Sequence, residues 1–309
     1  MFEIAAGETG DPAGVGKTDQ VAAEEVSWQA VSRSRRHRRT PDGEHDLLRP
    51  PGRQRVRTTT KWGFWSPPVD HSGRTLKITE EADRVELKVV SSERQCRSLG
   101  IEYDAARIRR VYFLDTPDRA LARHGLIVRI RDMDGRPDDA VVKLRPMASH
   151  RVPKWLRRKN RLEVEIDAMP GHRVCSGSLK VRLGRGTVAR TLRKGRAPAK
   201  LLVPAQRRLL AACGPDGVSL DDLIVFGPVE VRKYKFQPAG FDRQLCAERW
   251  AYPDGSTILE LSTRCPVGKA PEVAARLTEV LAAHGVEPVE PQRTKTDMTL
   301  RFFASGEPA

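Results

Sequence analysis

The sequence is poor in cysteine, and its cysteines are not arranged in pairs. Five are present in 309 residues, and no two stand at the Cys-x-x-Cys spacing of a zinc or redox motif. No histidine lies at the spacing that would complete a metal site. The pattern argues against a disulfide framework and a structural zinc site, and it favours free thiols in a reducing compartment.

Long apolar runs are also missing. No stretch is long enough to span a bilayer, and no apolar signal-peptide core follows the start. We therefore expect a cytoplasmic protein without a membrane partner. An aromatic stacking platform and a helix–turn–helix pattern are missing as well, so nucleic acid is not the expected partner of the folded part. The sequence does not indicate an oligomeric state.

Positive charge is abundant, with a net charge of +15. Residues 1–75 account for +2 of this charge, and the remainder of the chain accounts for +13. The excess therefore lies mainly in the part expected to fold. Charge alone is compatible with three anionic partners, namely nucleic acid, a membrane surface or a phosphorylated small molecule. The missing apolar runs and nucleic-acid motifs favour the small molecule.

Residues 1–75 read as a disordered, Arg-rich segment, because apolar residues are sparse and Pro and Gly interrupt the polar runs. Residues 10–18 resemble a phosphate-binding P-loop, but Asp11 stands where that motif requires glycine. No apolar strand precedes them, so we do not expect a P-loop. The folded domain is expected over residues 76–309, with a helical insertion at about 171–217.

Eight segments of the folded part read as β-strands, several with alternating apolar and polar residues. In five of them one face is charged while the other is apolar. These charged positions are Glu86, Lys88, Arg129, Arg131, Lys143, Arg145, Arg161, Glu163, Glu165 and Glu260. Such strands favour a closed antiparallel sheet with a charged lumen and an apolar outside that packs against helices. Cations in the lumen would bind phosphate oxygens, and carboxylates would bind a divalent metal.

Four stretches carry a resemblance to a known family. They are VELKV, VYFLDTPDRALARHGLIVRIRD, VVKLRP and RLEVEID, in this order along the chain. Over roughly residues 76–303 the sequence resembles the CYTH domain of the triphosphate tunnel metalloenzyme superfamily. The resemblance implies an α+β fold with an eight-stranded antiparallel β-tunnel covered by helices. It also implies Mg²⁺ or Mn²⁺ and a triphosphate or polyphosphate ligand.

The resemblance also implies roles for individual residues. Phosphate binding is implied for Lys88, Arg129, Arg131, Lys143, Arg145 and Arg161, and less sharply for Lys233, Lys235 and Lys295. Metal binding is implied for Glu86, Glu163, Glu165 and Glu260, and less sharply for Glu248. We expect Glu165 and Lys88 to be catalytic. The sequence departs from the family where Arg84 and Ser262 replace two expected carboxylates, which would weaken metal binding.

Three functions are compatible with these features. The first is a metal-dependent phosphohydrolase for inorganic tripolyphosphate, thiamine triphosphate or a nucleoside triphosphate. The second is an adenylate cyclase of the CYTH type. The third, motivated by Arg84 and Ser262, is a polyphosphate-binding module without catalysis. The sequence does not determine the substrate, because phosphate clamps do not contact the group attached at the far end.

Overall fold

The computed structural model describes Trp65, Ala82 and residues 84–101, 106–147, 152, 154–157 and 162–305. The P-loop-like residues 10–18 and Arg161 lie outside this part of the chain, and so does the predicted disordered segment apart from Trp65. Trp65 is fully buried, and its indole N–H donates to the Lys88 carbonyl over 2.9 Å. Trp65 falls within the segment predicted to be disordered, and its large apolar side chain packs in a core cluster.

Nine strands form in the described residues. They are β1 (Arg84–Ser91), β2 (Arg107–Asp115), β3 (Leu126–Met133), β4 (Asp139–Leu144), β5 (Glu163–Met169), β6 (His172–Arg182), β7 (Ile224–Phe236), β8 (Leu245–Ala251) and β9 (Thr257–Pro266). The same part of the chain contains seven α-helices. They are α1 (Glu93–Cys96), α2 (Ala120–Arg123), α3 (Lys154–Arg157), α4 (Thr187–Arg193), α5 (Pro204–Cys213), α6 (Ala270–Ala283) and α7 (Lys295–Ser305).

The strands form one closed barrel in the order β1-β5-β6-β4-β3-β2-β7-β8-β9, and β9 pairs with β1 to close it. The predicted closed barrel with surrounding helices is confirmed. Two details differ from the prediction, since the barrel has nine strands rather than eight and the β1–β5 pair is parallel. The other eight pairs are antiparallel.

The ninth strand is β6, which occupies the start of the segment expected to be helical. That segment contains α4 and α5, but its residues His172–Arg182 form a strand paired with β4 and β5. The sequence pattern failed here because Gly177 interrupts the apolar face of the strand. A Cβ at Gly177 would lie 2.6 Å from the side chains of Leu162 and Met147, so this position has no room for one.

Two apolar layers cover the outside of the barrel. On one side α6 packs against β1, β8 and β9, with Leu277 and Leu281 facing Leu87 and Leu261 in one core cluster. On the other side α4 and α5 cover β3, β4 and β6. This arrangement follows from the strand alternation, which points apolar side chains outward and charged ones inward. Among the described residues no helix has the length and apolar character needed to cross a membrane.

Apolar side chains fill one part of the barrel interior. Phe113, Val231 and Trp250 meet Leu300 of α7 in a third core cluster. The charged residues of the same strands lie further along the barrel, because Val231 precedes Lys233 by two positions and Trp250 follows Glu248 by two. The interior therefore combines an apolar filling with a charged cavity.

Candidate functional site

The cavity has a volume of about 350 Å³ and is dominated by positive charge. Twelve Lys and Arg and seven Asp and Glu side chains line it, which gives a net charge of +5. Seven of the predicted phosphate-binding residues are among them: Lys88, Arg129, Arg131, Lys143, Arg145, Lys233 and Lys295. All five predicted metal ligands line it as well: Glu86, Glu163, Glu165, Glu248 and Glu260.

Lys235 is the described phosphate-binding candidate that the structure places elsewhere. It lies on β7 two positions beyond Lys233, is exposed, and does not line the cavity. The two lysines share a face of the strand, but Lys235 lies nearer the strand's end.

Asp167 is the centre of the first charged cluster. Its side chain is fully inaccessible to solvent, and it forms ion pairs with Lys88, with Lys143 over 2.8 Å and with Arg145 over 3.2 Å. Ser176 donates to it over 2.8 Å. Burial alone would raise the pKa of Asp167, but the three cations hold it well below its usual range. The cluster therefore contains an internal carboxylate whose ionised form is favoured by three cations.

Glu86 and Glu165 lie next to Asp167 at the cavity surface. Oxygens of these three carboxylates all lie within 4.8 Å of one another. Glu86 pairs with Lys88 over 2.7 Å and with Arg264 over 3.2 Å. Burial would raise the pKa of Glu86, but these two cations lower it to about 2. The pairs of Glu165 are longer, at 3.6 Å to Lys143 and 3.4 Å to Arg264.

The three carboxylates suit a hard divalent cation such as Mg²⁺ or Mn²⁺, which binds through oxygen. Lys88, Lys143, Arg145 and Arg264 already compensate their charge, and the oxygens of Asp167 are fully engaged. Glu86 and Glu165, whose oxygens border the cavity, are therefore the accessible ligands of this group. The donor set fits a divalent metal, although the surrounding cations lower its expected affinity.

Glu248 of β8 is the centre of a second cluster, which also includes residues of β2, β7 and α7. It pairs with Arg109, with Lys233 over 3.0 Å and with Lys295 over 2.6 Å. Burial would raise its pKa, but Lys295, Arg109 and Lys233 hold it well below its usual range. Glu260 also pairs with Lys295, over 2.6 Å.

The predicted metal ligands are thus divided by the structure. Within the described residues, Glu86 and Glu165 belong to the group that brings three carboxylates together. Glu248 and Glu260 instead share Lys295 as a counter-ion, and Glu163 is an exposed residue on the wall.

Arg129 has no ion-pair partner among the described residues, although it lies between charged neighbours. Its buried Nε atom makes no hydrogen bond, and the same holds for Nε of Arg109 and Nη2 of Arg145. Arg131, by contrast, binds Asp139 through Nε over 2.6 Å and through Nη2 over 2.5 Å. Burial, with Arg131 and Arg109 nearby, lowers the pKa of Arg129 to about 10. An anion in the cavity would satisfy these N–H groups.

Comparison with solved structures identifies the fold. A Hippeastrum protein, named as a candidate adenylyl cyclase with a dominant triphosphatase activity, matches 73% of this chain and 96% of its own at 17% identity, with a TM-score of 0.50. The chain has the CYTH-type triphosphate-tunnel fold. A candidate adenylate cyclase from Bacillus halodurans matches 72% of this chain and 98% of its own at 15% identity, with a TM-score of 0.49. No protein-family model and no curated protein match the chain.

Several charged residues in and around the cavity were missed by the sequence analysis. They are Arg107, Arg109, Arg136, Asp139, Asp167, Lys180 and Arg264. Asp167 follows Glu163 and Glu165 at steps of two on β5, so the alternation that identified those residues also indicated it. Arg109 precedes Val111 and Phe113 in the same way on β2. Lys180 was missed because β6 was expected to be helical.

The two departures from the family pattern occupy different environments in the tunnel wall. Arg84 is exposed and does not line the cavity. Ser262 is buried and stands directly opposite Lys88 in the β1–β9 register. The substitution at Ser262 therefore removes a charge beside the first cluster, whereas Arg84 adds a cation outside the cavity.

Proposed function

We propose that the tunnel binds the phosphate chain of a triphosphate and hydrolyses one of its phosphoanhydride bonds with the help of Mg²⁺ or Mn²⁺. The observation that carries this proposal is Arg129, a guanidinium with an unsatisfied buried N–H in a cavity of net charge +5. A buried cation without a counter-ion is costly, and a phosphate oxygen would offset that cost. Inorganic tripolyphosphate, thiamine triphosphate and nucleoside triphosphates all carry the required group.

The cations of the cavity would act in two ways. Arg129 and Arg131 lie on β3, Lys143 lies on β4 with Arg145 directly after it, and Lys233 lies on β7. All five side chains line the same cavity. They would fix the phosphate chain in one position, and they would stabilise the charge that develops on its oxygens during cleavage. Lys88, which is paired with Glu86 and Asp167 in the first cluster, would add its positive charge to the same cavity. Because each of these strands pairs with a neighbour on both sides in the closed barrel, the binding groups are held in place before the ligand arrives.

Glu165 is the carboxylate best placed to position a water molecule. It borders the cavity, and its ion pairs of 3.4 and 3.6 Å are looser than those of Glu86 and Asp167. It can therefore accept a hydrogen bond from water and take its proton. A divalent metal held by Glu86 and Glu165, the accessible carboxylates of the first cluster, would supply Lewis-acid chemistry at a phosphate oxygen.

The test is phosphate release from tripolyphosphate, thiamine triphosphate and ATP by the full chain, with Mg²⁺, with Mn²⁺ and with a chelator. Calorimetric binding of tripolyphosphate is measured in parallel. We expect metal-dependent release that Glu165→Gln abolishes without a comparable loss of binding. Arg129→Gln should weaken binding about tenfold or more, the order expected for a charge-assisted bond to a buried group.

Arg232→Gln is the matched control for Arg129→Gln. Arg232 is exposed on β7 and pairs with Glu230 outside the cavity, so its removal should leave binding and release unchanged. Absence of both binding and turnover with every substrate would overturn the proposal. The ATP reactions are also assayed for cyclic AMP, whose formation with diphosphate would assign a cyclase instead.

A second candidate function, a receptor that binds polyphosphate without cleaving it, is favoured by the first cluster. Asp167 is saturated by three cations and Ser176, and Ser262 contributes no carboxylate opposite Lys88. Tight, metal-independent binding of tripolyphosphate without release would support this function over hydrolysis. Under the same conditions Glu165→Gln would change neither measurement.

A further inference from the structure

The segment between β5 and β7 contains no acidic residue over 48 positions. Between Asp167 and Asp216 there are eleven Lys and Arg and no Asp or Glu. This one segment therefore carries most of the chain's net charge of +15. Apart from Lys180 and the partly buried Arg173, these cations are exposed rather than directed into the tunnel.

Helix α4 and its C-terminal flanking residue Lys194 display the charge on one face. Arg190, Arg193 and Lys194 are exposed at spacings of three and four residues, while Val188 on the opposite side is fully buried. Like charges at these spacings destabilise a helix. Among the described residues none of the three has a carboxylate within ion-pair distance. The described residues therefore leave this cationic face without a neutralising carboxylate, so an external anion would be bound favourably there.

A groove joins this face to the tunnel. It has a volume of about 320 Å³ and shares Arg109, Met133, Asp134 and Arg136 with the wall of the cavity. On its other side it is lined by Arg185, immediately before α4. The groove also contains Asp132, which is paired with Arg110 over 3.4 Å. Cations thus continue from the cavity through the groove to α4.

We propose that this surface, which we call the basic track (Arg136, Arg185, Arg190, Arg193 and Lys194), holds the distal part of a long linear polyphosphate whose end lies in the tunnel. The proposal rests on the proposed function, since it requires the tunnel to take terminal phosphates. Its choice of ligand rests on charge and on the lack of aromatic residues. No Phe, Tyr or Trp occurs from residue 156 to residue 225, so the track offers no ring on which a nucleic acid base could stack.

The track makes binding depend on chain length. Tripolyphosphate is short and would occupy the tunnel alone, whereas a longer chain would also contact α4. Both contacts on one molecule raise its apparent affinity, because the second contact forms at a high effective concentration. Long-chain binding should also depend more steeply on salt, since it uses additional exposed cations.

The test compares binding of tripolyphosphate and long-chain polyphosphate to the full chain. The variant combines Arg190→Gln, Arg193→Gln and Lys194→Gln, all at exposed positions. We expect it to weaken long-chain binding about tenfold, the order expected for three surface charge contacts. Binding of tripolyphosphate should be unchanged. Arg185→Gln, which alters the groove alone, should give a smaller loss of the same kind.

The control removes three exposed cations elsewhere, through Arg97→Gln, Lys269→Gln and Arg276→Gln. It has the same net charge as the variant and should bind long chains as the unaltered protein does. The proposal would be refuted if the variant and the control lost the same affinity for long-chain polyphosphate. It would also be refuted if the unaltered protein bound tripolyphosphate and long-chain polyphosphate equally tightly. If single-stranded RNA bound as tightly as long-chain polyphosphate and the triple variant weakened that binding too, polyphosphate would not be the specific ligand of the track. Failure to bind tripolyphosphate at all would instead refute the proposed function.

Discussion

The Nζ atom of Lys295 lies 2.6 Å from Oε2 of Glu248 inside the barrel. Lys295 is the first residue of α7, and it also pairs with Glu260 over 2.6 Å. Burial would lower the pKa of Lys295, but these carboxylates raise it, so the lysine stays charged. The C-terminal helix is therefore joined to β8 and β9 by buried ion pairs, directly beside the apolar filling that Leu300 enters.

Replacing Lys295 should strongly destabilise the protein. In Lys295→Met two buried carboxylates lose their shared counter-ion, and breaking such a pair costs about 3–5 kcal/mol. The free energy of unfolding in urea measures this loss. The double variant Lys295→Met with Glu260→Gln should recover part of it, because one of the uncompensated charges is gone.

Lys269→Met is the control for that prediction. Lys269 is exposed, and it pairs with Glu272 over 3.4 Å at the surface, so its replacement should change stability by about 0.5 kcal/mol or less. Similar losses for Lys295→Met and Lys269→Met would show that the buried pairs contribute little.

The cluster around Glu248 should also make the free energy of unfolding depend on pH in the acidic range. The folded-state pKa of Glu248 lies well below the value of 4.5 that applies to the unfolded chain. Its contribution is therefore fully present above about pH 5 and is lost progressively as the pH falls through and below 4.5. One such carboxylate contributes a slope of up to about 1.4 kcal/mol per pH unit. Unfolding free energies measured from pH 7 downward test this.

The variant Glu248→Gln isolates the contribution of Glu248. It removes one titrating group, so the acid limb of its stability profile should be flatter even though its stability at pH 7 is lower. Glu272→Gln at an exposed position is the control and should keep the full slope. If the stability of Glu248→Gln fell with pH as steeply as that of the unaltered protein, Glu248 would not be a source of the acid dependence.

Much of the tunnel was predictable from strand alternation. The charged positions of β3, β4 and β5, such as Arg129, Lys143 and Glu165, line the cavity as the pattern indicated. A period of two residues determines the face of a strand, which is why these positions were found without knowledge of the fold.

The parts that were not predicted depend on three-dimensional neighbours. Alternation does not show where along a strand the cavity ends, so Lys235 could not be separated from Lys233. It also does not show which carboxylates meet, because the parallel register of Glu86 with Asp167 joins strands far apart in sequence. In β6, Gly177 interrupts the alternation that would have indicated a strand, and glycine is required there by the close approach of Leu162 and Met147.

Asp167 should act as the internal counter-ion that a bound phosphate chain partly replaces. Asp167→Asn leaves Lys88, Lys143 and Arg145 without their common partner, so we expect a loss of about 3 kcal/mol in the absence of ligand. Tripolyphosphate should then raise the melting temperature of the variant more than that of the unaltered protein. Thermal unfolding with and without tripolyphosphate measures both effects.

Asp216→Asn is the matched control, since Asp216 is exposed. It should neither destabilise the protein nor change the shift produced by tripolyphosphate. If tripolyphosphate raised the melting temperatures of Asp167→Asn and the unaltered protein equally, Asp167 and the ligand would not share the same cations.

Replacing Gly125 by alanine should disturb the proposed anion site, because Gly125 packs against the backbone of Arg145. Its φ is +74°, and a Cβ would lie 2.6 Å from the carbonyl oxygen of Arg145, whose N–H donates to the Gly125 carbonyl over 2.7 Å. Gly135 has a similar φ of +64°, with nothing within 4 Å of its Cβ position. Both Ala variants pay about 1–2 kcal/mol for the left-handed backbone.

The difference between these two variants isolates the contact with Arg145. Gly125→Ala should be less stable than Gly135→Ala by about 1–3 kcal/mol, the usual cost of forcing atoms into an occupied space. Because the Arg145 backbone must move to relieve the contact, Gly125→Ala should also bind tripolyphosphate more weakly, whereas Gly135→Ala should bind it normally. Denaturant unfolding and calorimetry measure the two effects. Equal stability of the variants would show that the strand end adjusts freely, and unchanged binding by Gly125→Ala would show that Arg145 does not need its present position to hold the ligand.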